Sequence, residues 1–474
     1  MTNILKKLFY DTTGQMPEET IKLTGDGSNR QYYRMKSGET TLIGTTGTSV
    51  EENRAFFALS AHLAVHGIDV PVVMAISPDE LSYLQSDLGD TNLYERLEPA
   101  RKNGTFDTQQ CADLCKVMAQ LPDIQHLGAE EFDFSICYPV PSFDRRSIFW
   151  DLNYFKYSFL KAIGVEFNES PLENEFEKLC GKLLADDGNT FMFRDFQSRN
   201  IMWHNDKPHY IDFQGGRRGP IYYDVASFVW QARARYTPEA VEKMIDAYLE
   251  SLKRYRTVDK EEFMQHLLYF RLFRLLQNLG AYGFRGLLER KKKFIESIPP
   301  AMQLITEVMQ QLKGEFPTLA SLLQQASQLP ILAKQDYDRL TVDVMSFSYK
   351  RGIPDDYSGN GGGFVFDCRA LHNPGRYEPY KKLCGYDEPV IRFLEEESRI
   401  GEFLENVYSI TDMMVENYKE RGFKHIQICF GCTGGQHRSV YSAEHTARHI
   451  AQKHNVRVVV THIMQNKKYT IEPE

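Results

Sequence analysis

Residues 193–200 read Phe-Arg-Asp-Phe-Gln-Ser-Arg-Asn, and Ile211-Asp212-Phe213 follows a short turn-rich run. The reading of this stretch decides the fold of the first two thirds of the chain. Moving a phosphoryl group onto a hydroxyl needs an aspartate that orients the hydroxyl and takes its proton. It also needs an asparagine and a second aspartate that hold Mg²⁺ against the phosphates. Asp195 and Asn200 stand with four residues between them, and a short hairpin ending at Asp212 supplies the third group. An isolated D-x4-N says little in a chain of 474 residues. The order Arg-Asp, Asn, then apolar-Asp-Phe, set between two helical blocks, says far more. The plainer alternative makes Asp195 and Asp212 turn residues and Asn200 a cap.

Outward from this stretch, helical periodicity dominates from about residue 107 to 328, interrupted only near 191–230, where apolar runs are short and turn signals dense. The first ninety residues differ. Residues 21–23, 31–35 and 40–43 read as strands, and Phe56, Phe57, Leu59, Leu63 and Val65 recur at helical spacing until Gly67. An extended stretch begins at Val70. Residues 329–338 read as a linker. Beyond it, strands at 337–349, 363–368, 425–430 and 456–463 alternate with helices at 388–418 and 438–453, which predicts an α/β unit.

At roughly 150 residues per domain, the length predicts about three folding units. Hydrophobic residues at 42 % and charged residues at 25 % exclude a largely disordered chain. Lys+Arg number 56 against 64 Asp+Glu, a net charge of −8. That balance excludes a surface built to coat nucleic acid and leaves room only for a local basic patch. No apolar run is long enough to span a bilayer, and the first ten residues lack a signal-peptide core, so a cytoplasmic address without membrane attachment is expected. Eight cysteines are too sparse for a disulfide framework and are expected as reduced thiols.

The phosphoryl-transfer stretch resembles the aminoglycoside phosphotransferase family of kinase-like enzymes, and within it the cell-wall sugar kinases of the AmgK type. Three further segments carry the resemblance: Leu23 to Arg34 (LTGDGSNRQYYR), Gln85 to Asp90 (QSDLGD), and Phe213-Gln214 with Gly219 to Ala226 (GPIYYDVA). It covers about residues 1–325. It implies an α+β, protein-kinase-like two-lobe domain over residues 1–330, with an N-lobe to about residue 90 and a C-lobe beyond it. ATP and Mg²⁺ are the implied cofactors, with Asp195 as base and Asn200 and Asp212 as metal ligands. Gly25, Gly27, Ser28, Arg30 and Arg34 are then the nucleotide contacts. The sequence departs from the family at three places. Phe193 stands where a His is usual, Gln214-Gly215 replaces Gln-Asp, and Thr41-Leu-Ile-Gly44 lacks the third-strand lysine. Arg30 or Arg34 is the candidate to replace that cation, paired with Glu51 or Glu52; a guanidinium is not an equivalent donor.

A second constellation lies at residues 425–445, where an apolar strand runs into Gly431-Cys-Thr-Gly-Gly-Gln-His-Arg-Ser439 and a helix follows. Glycines let successive backbone N–H groups converge, and the new helix adds its positive end, which suits a phosphate. Thr433, Gly434, Gly435, His437, Arg438 and Ser439 are the candidate contacts. A tight glycine turn without a ligand is the plainer alternative. The spacing Cys432-x5-Arg438 also fits the phosphate loop of tyrosine phosphatases, in which a thiolate attacks phosphorus, although Gly431 stands where those carry His.

The loop resembles the C-terminal domain of RapZ, the RNase adapter protein, in a match covering about residues 338–465. Ser346 to Pro354, Phe364 to Pro374 and Leu383 to Asp387 match in order. The resemblance implies an α/β domain over 338–474 that binds glucosamine-6-phosphate, with Asp367, Arg369 and Asn373 facing the loop. Gly375 replaces a His of that pocket, and the tail carries only Lys467 and Lys468 where the adapter has a basic RNA-binding end. The expected whole is a sugar phosphotransferase regulated by a hexosamine phosphate. Its alternatives are a nucleotide-binding adapter with little turnover and a cysteine-dependent phosphatase. An RNA or protein partner has weak support, and the sequence leaves a homo-oligomer open.

Overall fold

The computed structural model describes residues 2–23, 30–329, 339–356 and 363–473. Gly25, Gly27, Ser28 and the stretch 330–338 expected as a linker lie outside the described residues. The chain divides into two compact units. One comprises Met1–Glu289 and Glu296–Leu332; the other comprises Ala333–Glu474 and the short segment Arg290–Ile295, which the sequence had grouped with the first.

The first unit is α+β and kinase-like in its two lobes. Its N-lobe is an antiparallel sheet of β1 (Glu19–Leu23), β2 (Gln31–Ser37), β3 (Thr40–Thr46), β4 (Val73–Ile76) and β5 (Ser82–Ser86), in the order β1-β2-β3-β5-β4. The helix Val50–Val65 follows β3. Ser49 caps it by accepting the Glu52 N–H, and Glu51 and Glu52 sit in the first turn, where the helix dipole favours negative charge. The helix Thr2–Thr13 buries Leu5 and Phe9, one turn apart, against Met35, Leu42 and Leu84 of the sheet.

The C-lobe is helical, with the long helices Thr108–Leu127 and Lys260–Tyr282 in its core. Two small antiparallel pairs interrupt it where the sequence breaks its helical period: β6 (Thr190–Met192) with β9 (Arg217–Gly219), and β7 (Ile201–His204) with β8 (Lys207–Tyr210). These pairs fix the ends of the loops that carry Asp195, Asn200 and Asp212.

The second unit is α/β. Its sheet runs β11 (Phe364–Asp367), β12 (His425–Cys432), β10 (Thr341–Ser348), β13 (Arg457–His462) and β14 (Lys467–Ile471). The first four are parallel and β14 is antiparallel to β13. Every residue of β12 is buried, as expected for a central parallel strand covered on both faces. Val407, Val415, Ala443, Ala447 and Ile450, from helices Ile400–Glu420 and Arg438–His454, share one core with the sheet.

One expectation is corrected here. The helix expected at 388–418 is two helices, Glu388–Glu397 and Ile400–Glu420, because Ser398 is extended (φ −139°, ψ 166°). The tail forms a strand of the sheet: Asn466 turns left-handed (φ 51°) and sends β14 back along β13. Lys467 and Lys468 begin that edge strand and keep it from pairing further. Among the described residues, no helix is long and apolar enough to cross a membrane.

Candidate functional site

The structure brings Asp195, Asn200 and Asp212 together. Asn200 Nδ2 donates to the Asp195 carbonyl at 2.8 Å and to Asp212 Oδ2 at 3.1 Å, while the Ile211 N–H donates to the Asn200 carbonyl at 3.0 Å. Asp212 adopts a left-handed backbone (φ 68°), as does Arg194 (φ 76°). Such conformations persist in non-glycine residues only where the surroundings impose them. At Arg194 the cause is visible: buried Asp224 accepts the N–H groups of Phe193 at 2.7 Å and Arg194 at 2.9 Å, clamping the residue before Asp195. Burial outweighs those two donors and pushes the Asp224 carboxyl up to about 7.

Burial and the charge of Asp195 also raise Asp212 above the ordinary carboxylate range. A divalent cation would relieve the repulsion that Asp195 exerts on Asp212. With its amide N–H engaged, Asn200 Oδ1 is left to serve as a second oxygen ligand. Mg²⁺ bound through one carboxylate, one amide oxygen and nucleotide phosphates fits this donor set. Gln214 Nε2 holds the other Asp212 oxygen at 2.9 Å.

Phe193, in the usual place of a His, packs among Phe191, Phe196, Tyr210 and Phe213. Phe213 in turn stacks on Phe56 of the N-lobe helix, with ring centroids 5.1 Å apart. The imidazole is thus replaced by a ring in an apolar column that ties the metal loop to the N-lobe.

The two arginines expected near the phosphates separate. Arg30 is buried, lies 3.3 Å from Glu52 Oε1 and from Asn53 Oδ1, and covers the Phe56 ring. It recreates the cation–helix-glutamate pair from the start of β2 rather than from β3. Arg34 is committed elsewhere: it forks onto Asp87 at 2.6 and 3.0 Å and also bonds Asp90. Arg34, expected as a nucleotide contact, here staples β2 to the segment joining the lobes.

Sequence reading missed a network beside Asp195. Arg194 lies 3.6 Å from Asp151 Oδ1, Gln277 Nε2 donates to Asp151 Oδ2 at 2.8 Å, and Arg274 donates to Tyr223 at 2.7 Å. Burial and the nearby Arg194 pull the Arg217 guanidinium down to about 10. The partners of Asp151 come from the distant helix Lys260–Tyr282 and from the loop before Asp195, and carry no local signal.

In the second unit, parallel register sets Asp367 beside Gly431 and Ser348 beside Cys432, so the candidate residues gather at the carboxyl edge of the sheet. Ser348 Oγ donates to the Thr433 carbonyl at 2.7 Å. Gly435 is left-handed (φ 67°), and a Cβ there would lie 2.5 Å from Met464 and 2.9 Å from the Ser348 nitrogen. Thr433 and Gly434 are exposed at the tip of the turn. Arg438 is 4 % exposed; its Nη1 donates to the carbonyls of Arg369 and Leu371 at 2.9 and 2.8 Å, and its Nε has no partner.

Asp367 and Arg369 bond each other at the rim, and the Arg369 guanidinium holds the Asp367 carboxyl below its ordinary value. Asn373 Oδ1 accepts the Gly375 N–H at 3.1 Å. His437 is buried against the Tyr380 carbonyl, and burial lowers it. Ser439 Oγ lies 3.2 Å from Cys432 Sγ.

A model of the phosphotransferase enzyme family matches residues 19–259, just over half of the chain. A model of the RapZ C-terminal domain matches residues 340–466. A nucleotide-binding protein of Dinoroseobacter shibae is 40 % identical over 119 residues, which are 25 % of this chain and 38 % of that protein. A nucleotide-binding protein of Bacillus cytotoxicus is 39 % identical over 117 residues, again 25 % and 38 %. The chain thus spans less than two fifths of either relative's length. Among solved structures, a choline kinase from Cryptosporidium parvum aligns with a TM-score of 0.46 at 12 % identity, covering 68 % of this chain and 100 % of that one. Spectinomycin phosphotransferase APH(9)-Ia aligns with a TM-score of 0.44 at 15 % identity, covering 69 % and 98 %.

Proposed function

Because the chain belongs to the phosphotransferase enzyme family, we propose that its first unit transfers a phosphoryl group from ATP to a hydroxyl of an amino sugar or cell-wall sugar. The observation that carries this reading is the convergence of Asp195, Asn200 and Asp212 through the Asn200 amide. Asp195 orients the acceptor hydroxyl and accepts its proton. Asp212 and Asn200 hold Mg²⁺, which when bound neutralises charge on the transferring phosphates. Arg30, braced by Glu52, supplies the positive charge that Thr41 to Gly44 lacks. In this reading the Asp151–Gln277–Arg194 network beside Asp195 would offer polar groups to sugar hydroxyls.

The second unit, in this reading, binds a hexosamine phosphate that regulates the first. The free Nε edge of Arg438 and the N–H groups of the turn suit the phosphate, and Asp367 suits an ammonium or hydroxyl.

The test is ATP turnover by the full chain with glucosamine, N-acetylglucosamine and N-acetylmuramate as acceptors. Phosphorylation of at least one is expected, and Asp195→Ala should lower it about 10²–10⁴-fold while nucleotide still binds. Full activity in that variant would refute the base assignment. The missing third-strand lysine favours a second reading, a nucleotide-binding adapter with little turnover. Nucleotide binding without transfer to any acceptor would select it.

A further inference from the structure

Cys432 ends β12, and its sulfur turns into the phosphate nest. Cys432 Sγ accepts the Gly435 N–H at 3.2 Å and is bonded to Ser439 Oγ at 3.2 Å. Burial alone would raise this thiol. The Ser439 hydroxyl and the backbone N–H groups of Ser439, Gln436 and Gly435 together outweigh it, and the thiol is held below its ordinary value. The other cysteines nearby behave in the opposite way: burial pushes Cys368 and Cys429 up to about 12 and raises Cys384. Cys384 also has donors, from Gly385 and Tyr386, but burial outweighs them; among these four cysteines the donors outweigh burial at Cys432 alone. A second observation marks the place as built for an anion. Arg438, 4 % exposed and anchored through Nη1, keeps a buried Nε with no partner. An orphaned guanidinium edge at a turn of converging N–H groups is explained by an oxyanion ligand.

We propose that the Cys432 sulfur and a bound oxyanion are mutually exclusive negative charges in one nest, so that anion binding takes up a proton at Cys432 and covalent modification of Cys432 closes the site. The proposal rests on the phosphate-nest reading above. In this structure the sulfur takes the donors that the reading assigns to a phosphate. Two negative charges sharing them repel, so a ligand favours the thiol and the thiolate disfavours the ligand.

The surroundings leave this titration isolated. On its own turn and helix Cys432 faces His437, lowered by burial, and the permanently charged Arg438. From the segment after β11 it faces Cys368, which stays a thiol, and the Asp367–Arg369 pair, in which the carboxylate stays ionised. Just past β10, Tyr349, raised by burial, donates its N–H to the Cys432 carbonyl, and from the loop before helix Glu388–Glu397 Cys384, also raised, bonds the Gln436 carbonyl. None of these changes charge between pH 7 and 9.

Sulfate is the probe, because its charge is constant over that range. Its affinity for the full chain is measured by calorimetry from pH 7 to 9 in wild type, Cys432→Ser and Cys432→Ala. Once the thiol is ionised, wild-type affinity should fall up to about tenfold per pH unit, one proton per anion, while both variants stay flat. In parallel, Cys432 is labelled with methyl methanethiosulfonate. The thiolate attacks the reagent's sulfenyl sulfur, forms a methyl disulfide and expels methanesulfinate. Saturating sulfate should slow this labelling at least tenfold, and the labelled protein should no longer bind sulfate.

A wild-type pH profile equal to that of the variants, or labelling unaffected by bound sulfate, would overturn the proposal while leaving the nest itself standing. Sulfate coupling without any binding of glucosamine-6-phosphate would leave the proposal standing and remove the hexosamine reading. No binding of either anion would overturn both. Release of inorganic phosphate from glucosamine-6-phosphate, lost in Cys432→Ser, would also overturn it, since the sulfur would then be a nucleophile toward phosphorus.

Discussion

In the proposed reading the two units would meet phosphate with opposite charge. The first gathers carboxylates: burial and the charge of Asp195 raise the proton affinity of Asp212. The second gathers donors: a turn of N–H groups at the start of a helix, with Arg438 behind it. A carboxylate site repels phosphate until a cation is bound, so its affinity is conditional and its ligand is held at a reactive geometry. A donor nest of this kind would bind the anion directly, with no carboxylate placed to take a proton from an attacking hydroxyl. The difference separates a site suited to transfer from one suited to sensing.

Removing divalent cations should break the symmetry most severely. Chelation should abolish ATP turnover to background while glucosamine-6-phosphate affinity, read by calorimetry, stays within about twofold. A parallel loss at both sites would mean that the second also works through a metal. Next in size, Arg438→Ala removes a charge-assisted contact of about 1.5–3 kcal/mol, roughly a tenfold to hundredfold weakening of hexosamine phosphate binding. ATP affinity should not change in that variant. Arg30→Ala should weaken ATP about tenfold if it supplies the cation proposed beside the phosphates, whereas Arg34→Ala should leave ATP affinity nearly intact. The reverse ranking, measured by nucleotide titration, would reassign the phosphate-facing arginine.

The smallest effect concerns acid stability. Glu444 is buried, yet His462, Tyr469 and Arg448 outweigh that burial and hold its carboxyl down to about 2. Its folded value lies below the unfolded value of about 4.3, so its stabilisation is complete above that pH and is lost as pH falls toward 2. Amide exchange of β10 and β13 should accelerate over this window in wild type, and less steeply in Glu444→Gln. Asp212 and Asp224 in the first unit are raised instead, so acid does not remove a stabilising charge from either.

The phosphoryl-transfer trio was legible because it lies on one loop and hairpin, where spacing along the chain nearly equals spacing in the fold. The choice between Arg30 and Arg34 was not. Four residues apart on an extended segment, they share a face, and only Asp87 and Asp90, some fifty residues on, decide which is consumed. The Asp151–Gln277 contact joins two helices 126 positions apart and leaves no periodic trace. The break at Ser398 was hidden because the apolar pattern resumes at Ile400 with little change of phase. The alternation of the second unit was plain, since its strands are short apolar runs bounded by turns; β14 escaped because an edge strand with two lysines looks like solvated tail.

Gly435 sets a limit on how this sequence can diverge. Its left-handed backbone and the 2.5 Å approach of Met464 forbid any side chain, while Gly434 beside it has nothing within 4 Å of a virtual Cβ. Drift is therefore closed at the floor of the turn and open at its tip. A descendant of this chain can change which molecule it recognises by substituting Gly434, Thr433 or the rim at Asp367 and Arg369. It cannot do so by remodelling the floor without also repacking Met464 and the end of β10.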